Sequence, residues 1–329
     1  MKTIIPCSAR SILAMSLFLG AIAPMALAQD GGADRAVDPE AQEAVRPERP
    51  GVTITLNPSV WYSAERDYDT GVGDVETTKL GGEVTIGLPI GDRGRLNLGV
   101  GAFTTDYDVT VNPAFAAGVN AATIGTQFDE VQELSFNAMY TRVLDEQGTA
   151  LFAGGRIGSA SEGGVDFDDA LVWGAFGGLS WRVNEQFTFG LGVGVFSRLE
   201  DDVRIIPLPQ FRYTIDERWT LMSEGPGVKL DYAWKDDMHM GVFARFEGDD
   251  FRIETTNTIV PGGAVSNSMV PITYYLDTKL GDSKNIALFA EVGVVVAGET
   301  EIFNAAGNVV VEEDIDPGVF AGLSLKIRF

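Results

Sequence analysis

The chain ends in the stretch GVFAGLSLKIRF, residues 318–329. Val319, Ala321, Leu323, Leu325, Ile327 and Phe329 alternate there with Phe320, Gly322, Ser324, Lys326 and Arg328. A period of two places the two sets on opposite faces of a β-strand. An apolar face ending on an aromatic, opposite a face with Lys and Arg, suits a strand between lipid and a wet interior. The pattern recurs upstream. Leu134, Phe136, Ala138 and Tyr140 alternate with Glu133, Ser135, Asn137 and Thr141. Phe187, Phe189, Leu191, Val193 and Val195 alternate with Thr188, Gly190, Gly192 and Gly194. After Ala28 no uncharged apolar run approaches the roughly 20 residues that a membrane-spanning helix needs. Every backbone polar group must be paired inside lipid, so a membrane chain without such helices closes into a barrel.

The N-terminus reads as an export signal. Lys2 and Arg10 precede a short apolar run from Ile12 to Ile22, and Ala26-Leu27-Ala28 is a small-x-small cleavage site. Residues 1–28 are therefore expected to be a signal peptide. Cleavage there removes Cys7, the single cysteine, and leaves no disulfide or thiolate chemistry. Residues 29–50 are polar and carry Pro39, Pro47 and Pro50, too little apolar content for a core. They are expected to be a flexible periplasmic tether; the alternative is a plug entering the lumen. Residues 51–329 are expected to form the barrel.

Short turns fall near residues 92, 146, 185, 217, 236 and 282, and longer or more acidic loops near 70, 120, 164, 201, 226, 261 and 307. Short periplasmic turns alternating with longer extracellular loops characterise outer-membrane barrels. The two sets together join fourteen strands in an all-β, antiparallel, up-and-down transmembrane barrel. The arms of 219–234 are short against the roughly 9–11 residues of a crossing strand, so twelve strands is the alternative. Residues 298–317, with their acidic run from Glu312 to Asp316, are expected to be a long loop, like 112–127; either could fold inward and occlude the lumen. Trp61, Tyr62, Trp181, Phe187, Tyr213, Trp219, Tyr232, Trp234 and Phe329 are expected in interfacial girdles. Pro207 and Pro209 each remove a ladder donor, so an interrupted pairing is expected around them.

The terminal Phe329, with Leu323, Leu325 and Ile327 before it, resembles the C-terminal assembly signal of bacterial outer-membrane β-barrel proteins. Pro207-Leu208-Pro209, Tyr213, Trp219, Pro226 and Leu230-Asp231-Tyr232 resemble the central stretch of an uncharacterised porin-like family of such barrels. These resemblances imply an outer-membrane location, with lipid and the barrel-assembly machinery as partners; no cofactor is expected.

With the apolar face toward lipid, the lumen is expected to be lined by Glu133, Arg182, Arg198, Arg204, Arg212, Lys229, Asp231, Asp277, Lys279, Glu291, Lys326 and Arg328. Charges inside a barrel are tolerated when hydrated or paired. Such a lining has two readings: a polar pore whose charges set selectivity, and a filled lumen whose ion pairs brace the wall. The leading expectation is porin-like passage of small polar solutes or cations. The alternative is a structural or surface-interaction barrel with acidic extracellular loops. Those loops could hold divalent cations, but no defined calcium-loop pattern is present. The net charge of −23 excludes nucleic acid as a partner. The glycines at 190, 192 and 194 lack the strand-to-helix context of a phosphate loop. Outer-membrane hydrolase chemistry ordinarily needs a His general base. The lone His239 lies beside a turn expected on the periplasmic side, so an enzyme ranks third, with no catalytic or metal residues expected.

Overall fold

The computed structural model describes residues 51–69, 73–111, 130–200, 203–257, 260–281 and 285–329. The signal peptide, the tether, the loop 112–127 and parts of the turns near 201 and 282 lie outside the described residues. Among the described residues no helix is long and apolar enough to cross a membrane.

Sixteen strand segments form one sheet. They are β1 (Thr53–Asp67), β2 (Gly73–Ile90), β3 (Gly94–Val111), β4 (Glu130–Val143), β5 (Ala150–Glu162), β6 (Leu171–Arg182), β7 (Phe187–Phe196), β8 (Arg204–Thr214), β9 (Trp219–Glu224), β10 (Gly227–Lys235), β11 (Met238–Arg245), β12 (Glu247–Arg252), β13 (Ala264–Lys279), β14 (Ile286–Phe303), β15 (Val309–Ile315) and β16 (Gly318–Arg328). Two wall strands come in two pieces. β11 and β12 both pair with β13, and β15 and β16 both pair with β14. The final strand pairs antiparallel with the first, Thr55 opposite Arg328 and Ser63 opposite Phe320. The result is a closed antiparallel barrel of fourteen strands, not twelve.

Pairing of the last strand with the first closes the sheet, and the outer face is apolar. Leu80, Leu191, Val193, Val292 and Val319 are all at least half exposed, while Phe320, one residue on, is 1% exposed. At the short-turn end aromatics meet in a belt. Trp181 stacks on Phe189 with centroids 6.4 Å apart, and Trp219 lies 4.6 Å from Tyr232, which contacts Trp234. The belt is anchored by tight turns: Asp216 Oδ1 accepts hydrogen bonds from the Arg218 and Trp219 amides, both at 2.8 Å. Those bonds hold its carboxyl below the usual carboxylate range. Trp61 corrects the girdle expectation. It turns inward onto Phe320, 5.4 Å away, because its position in β1 shares the parity of the lumen-facing residues.

The expected loop 298–317 is also corrected. β14 runs on to Phe303 and β15 returns from Val309, so the connection is only residues 304–308. Val311, Glu313 and Ile315 are buried, and Glu312 and Asp314 between them are exposed. The acids obscure an ordinary period of two.

The hairpin β9–β10 joins the wall but is short. Gly225, at φ 53°, opens the two-residue turn Gly225-Pro226, as a type II′ hairpin requires. The six residues of β9 give about 20 Å of strand, roughly 15 Å of height once tilted, against an apolar band about 25 Å tall. Above it β8 loses its neighbour: pairing with β9 stops at Arg212–Met222, while pairing with β7 continues to Arg204. The Ser223 hydroxyl accepts from the Phe211 amide (2.8 Å) and donates to its carbonyl (3.3 Å). Polar groups of alternate residues point to the same edge, so the missing N–H groups of Pro207 and Pro209 belong to this unpaired edge. The interruption expected around the prolines is on the β9 side only, where a residue without a donor costs least.

Candidate functional site: a divided lumen

The lumen is divided into a filled half and a wet half. In the half toward the long loops, β12 parts from β10 but keeps its pairing with β13, and turns inward until Arg252 also pairs with Ser161 of β5. Its sequence favours this. Asp249 and Asp250 are adjacent, so a strand with one face on lipid would present one of them to it, at a cost that grows with depth in the bilayer. Lifted inward, Asp249 meets Lys79 at 3.9 Å and Asp250 meets Arg198 at 3.4 Å. Arg252 pairs with Glu200 and donates to the carbonyls of Asp169 (3.0 Å) and Gly262 (3.2 Å). Between the charges, Phe251 and Ile253 enter a core with Tyr68, Val75, Val131, Val265, Ile302, Val311 and Ile315. Phe251 is 1% exposed and lies 5.5 Å from the Tyr107 ring. Among the described residues the occluding element is thus β12, not the 298–317 segment, although that segment contributes Ile302, Val311 and Ile315.

Beneath this closure a chain of charges ties the wall to β12. Glu133 stands between Lys79, at 3.0 Å, and Arg156, which also bonds it. Arg198 reaches the Ser266 hydroxyl at 2.8 Å and Glu301 at 3.9 Å. Arg245 pairs with Glu247 and, at 3.5 Å, with Glu291.

The half toward the short turns is open. A chamber of about 1000 Å³ is lined by Arg212, Lys229, Lys235, Lys279, Lys326 and Arg328 facing Glu224, Asp231, Asp236, Asp237 and Asp277. Six cations against five carboxylates is nearly balanced, although the whole chain carries −23. Lys229 pairs with Glu224 at 3.0 Å and lies over the Tyr275 ring, 4.5 Å from its centroid. Asp231 accepts from the Tyr275 hydroxyl and lies 3.0 Å from His239 Nδ1. On the β5–β7 side, Phe152 lies flat on the wall. A Cβ at Gly178 or Gly192 would stand 2.4 Å or 2.9 Å from its ring, so glycine there makes room for the aromatic.

The expected lumen residues fall into the two halves. Glu133, Arg198 and Glu291 belong to the ion pairs under the closure. Arg212, Lys229, Asp231, Asp277, Lys279, Lys326 and Arg328 line the chamber. Arg182 pairs in register with Thr188 of the chamber wall, and Arg204 sits opposite Phe196 at the start of β8. His239 lies in the chamber lining. It points into the chamber because it shares its parity in β11 with Gly241 and Phe243, which face Tyr275 and Thr273. Lys79, Arg156, Arg245, Glu247, Asp249, Asp250 and Arg252 are lumen residues beyond the expected set; alternation with the outward-facing Leu80, Ile157 and Val242 is the signal for Lys79, Arg156 and Arg245. The adjacent acids at 249 and 250 are the signal for β12. At the long-loop rim, carboxylate oxygens of Glu65, Asp67 and Asp74 lie within 4.8 Å of one another.

Closed barrel, apolar belt and divided polar lumen define the class: a membrane-spanning β-barrel with an internal aqueous chamber. No family model matches the chain, and no curated relative matches it. Among solved structures the chain is similar to an outer membrane channel from Pseudomonas putida F1, at 11% identity over 89% of this chain and 100% of that one, with a TM-score of 0.46. It is similar also to the Pseudomonas putida toluene transporter TodX (10% identity, 90% and 93% of the two chains, TM-score 0.41) and to the NanC porin (8%, 83% and 98%, 0.34).

Proposed function

We propose that the protein is an outer-membrane channel of porin type that passes small polar solutes and rests in a closed state. The observation that supports this most is the chamber of about 1000 Å³ inside a closed barrel, lined by charges of both signs. Such a lining hydrates a solute without trapping either sign. The chamber reaches the short turns, which topology assigns to the periplasm. The closure by β12 is the gate: one edge of β12 keeps its ladder to β13, and across the lumen it is held by ion pairs and one apolar core. Near balance in the chamber argues against strong cation preference there; the exposed acids of the outer loops would concentrate cations only at the mouth. His239 is read as a polar group of the chamber, held by Asp231, and no catalytic role is proposed for it.

Swelling of liposomes holding the refolded mature protein tests this reading. A small neutral sugar and a small organic anion should both enter faster than into protein-free liposomes, at similar rates. Swelling no faster than protein-free liposomes would replace this reading with the filled-lumen one, a barrel acting through its outer surface.

The C-terminal strand is proposed as the segment that the barrel-assembly machinery reads. Val319 and Leu323 of this strand face outward, 57% and 47% exposed, and Phe329 closes the barrel by exchanging backbone bonds with Ile54. Deleting Phe329 should sharply reduce the heat-modifiable, membrane-inserted fraction in cells. Unchanged migration and yield of the truncated protein would contradict it.

A further inference from the structure

We propose that the closed half of the barrel holds a small monovalent anion, chloride being the commonest, on the buried guanidinium of Arg66. Arg66 is 5% exposed. Its Nε and Nη1 are buried with no hydrogen-bond partner, and among the described residues no carboxylate pairs with it. An uncompensated buried cation is expensive, so a native fold that keeps one normally supplies a counter-charge.

The fold places this side chain by specific means. The pairing of β1 with β2 shifts between Ser63 and Arg66, a bulge that adds a residue and reverses the parity of the rest of β1. Without it Arg66 would face outward; with it Arg66 faces the interior. The side chain then lies across Gly318, where a Cβ would stand 2.2 Å from Arg66 Cγ, and close to Gly298, where it would stand 3.7 Å from Nη1. The bulge and the glycine at 318 thus accommodate a cation that meets no acid.

Arg66 borders a cavity of about 40 Å³, above the roughly 10–15 Å³ that a single water needs. Its polar wall includes the side chains of Thr77, Asn267, Ser268 and Thr300. Thr77, Ser268 and Thr300 are themselves at most 6% exposed. Asp249 also borders the cavity and is engaged by Lys79. A guanidinium with two free donors beside buried hydroxyls suits one small ion of single negative charge. The anion would join β1, β13 and β14 beside the apolar core and so favour the closed half of the lumen. This inference does not depend on whether the barrel conducts.

The test uses the mature protein refolded in detergent. Unfolding is followed in sodium chloride and in sodium gluconate at equal ionic strength. At chloride ten times its dissociation constant the unfolding equilibrium constant should fall about tenfold. R66M should abolish the chloride dependence and be no less stable than wild type in gluconate, since removing an unpaired buried charge relieves its cost. Crystals grown in bromide should show anomalous density beside Arg66. Equal stability of wild type in the two salts, chloride dependence that persists in R66M, or a bromide-free cavity would each overturn the proposal.

Discussion

Glu133→Ala should lower the stability of the barrel by about 3–5 kcal/mol, the usual cost of removing one partner from a buried ion pair. Glu133 is 13% exposed and is the carboxylate that both Lys79 and Arg156 use. Its loss leaves two cations facing each other inside the lumen, with Asp249 at 3.9 Å from Lys79 as the nearer remaining acid. Arg156 already has its Nε without a partner, so it has little to fall back on. Urea unfolding of the refolded protein reads the loss as a drop in midpoint. A triple variant, Lys79→Met with Glu133→Leu and Arg156→Met, should be less destabilised than E133A, because apolar replacement of a whole buried ionic group is often neutral or better. If E133A unfolds like wild type, the charges under the closure are solvated and do not brace it.

Phe251→Ala should release the gate. Removing a fully buried phenyl ring costs about 3–5 kcal/mol, and this ring belongs to the strand that turns inward to close the lumen. The open conformation of β12 does not use these contacts, so the loss falls mainly on the closed one. At 1.4 kcal/mol per tenfold, the balance shifts toward open by about a hundredfold or more. Single-channel records should show far more open time at an unchanged or larger unit conductance. An unfolding midpoint that falls while the open time stays the same would mean that β12 is fixed structure and not a gate.

Much of this architecture is readable from local pattern. Strand number and closure come from alternation and from six short turns, because each hairpin is a local decision of the chain. Even the weak arms 219–234 are recoverable, since Trp219, Tyr232 and Trp234 mark one end of a wall hairpin whatever its length. Parity also points the lumen charges inward. Parity does not say what lies across the barrel. Lys79 and Glu133 are 54 positions apart, and Arg198 and Asp250 are 52 apart; nothing local brings either pair together. Two features break the simple rule. The bulge before Arg66 reverses parity midway along β1, and β12 turns inward with only β13 left as its neighbour along its length. Asp249-Asp250 shows in retrospect why it does, because no strand in contact with lipid on one face can hide both carboxylates. In β15 the opposite error arises: an acidic run looks like a loop when every second residue is buried.

Single-channel recording of the wild-type barrel in a planar bilayer, under a salt gradient, tests the central claim most directly. The account expects brief, infrequent openings from a mostly closed state, with a reversal potential near zero because the chamber lining is almost charge-balanced. A steady, fully open pore would contradict the closure by β12, and a strongly cation-selective reversal potential would contradict the chamber as the element that sets selectivity.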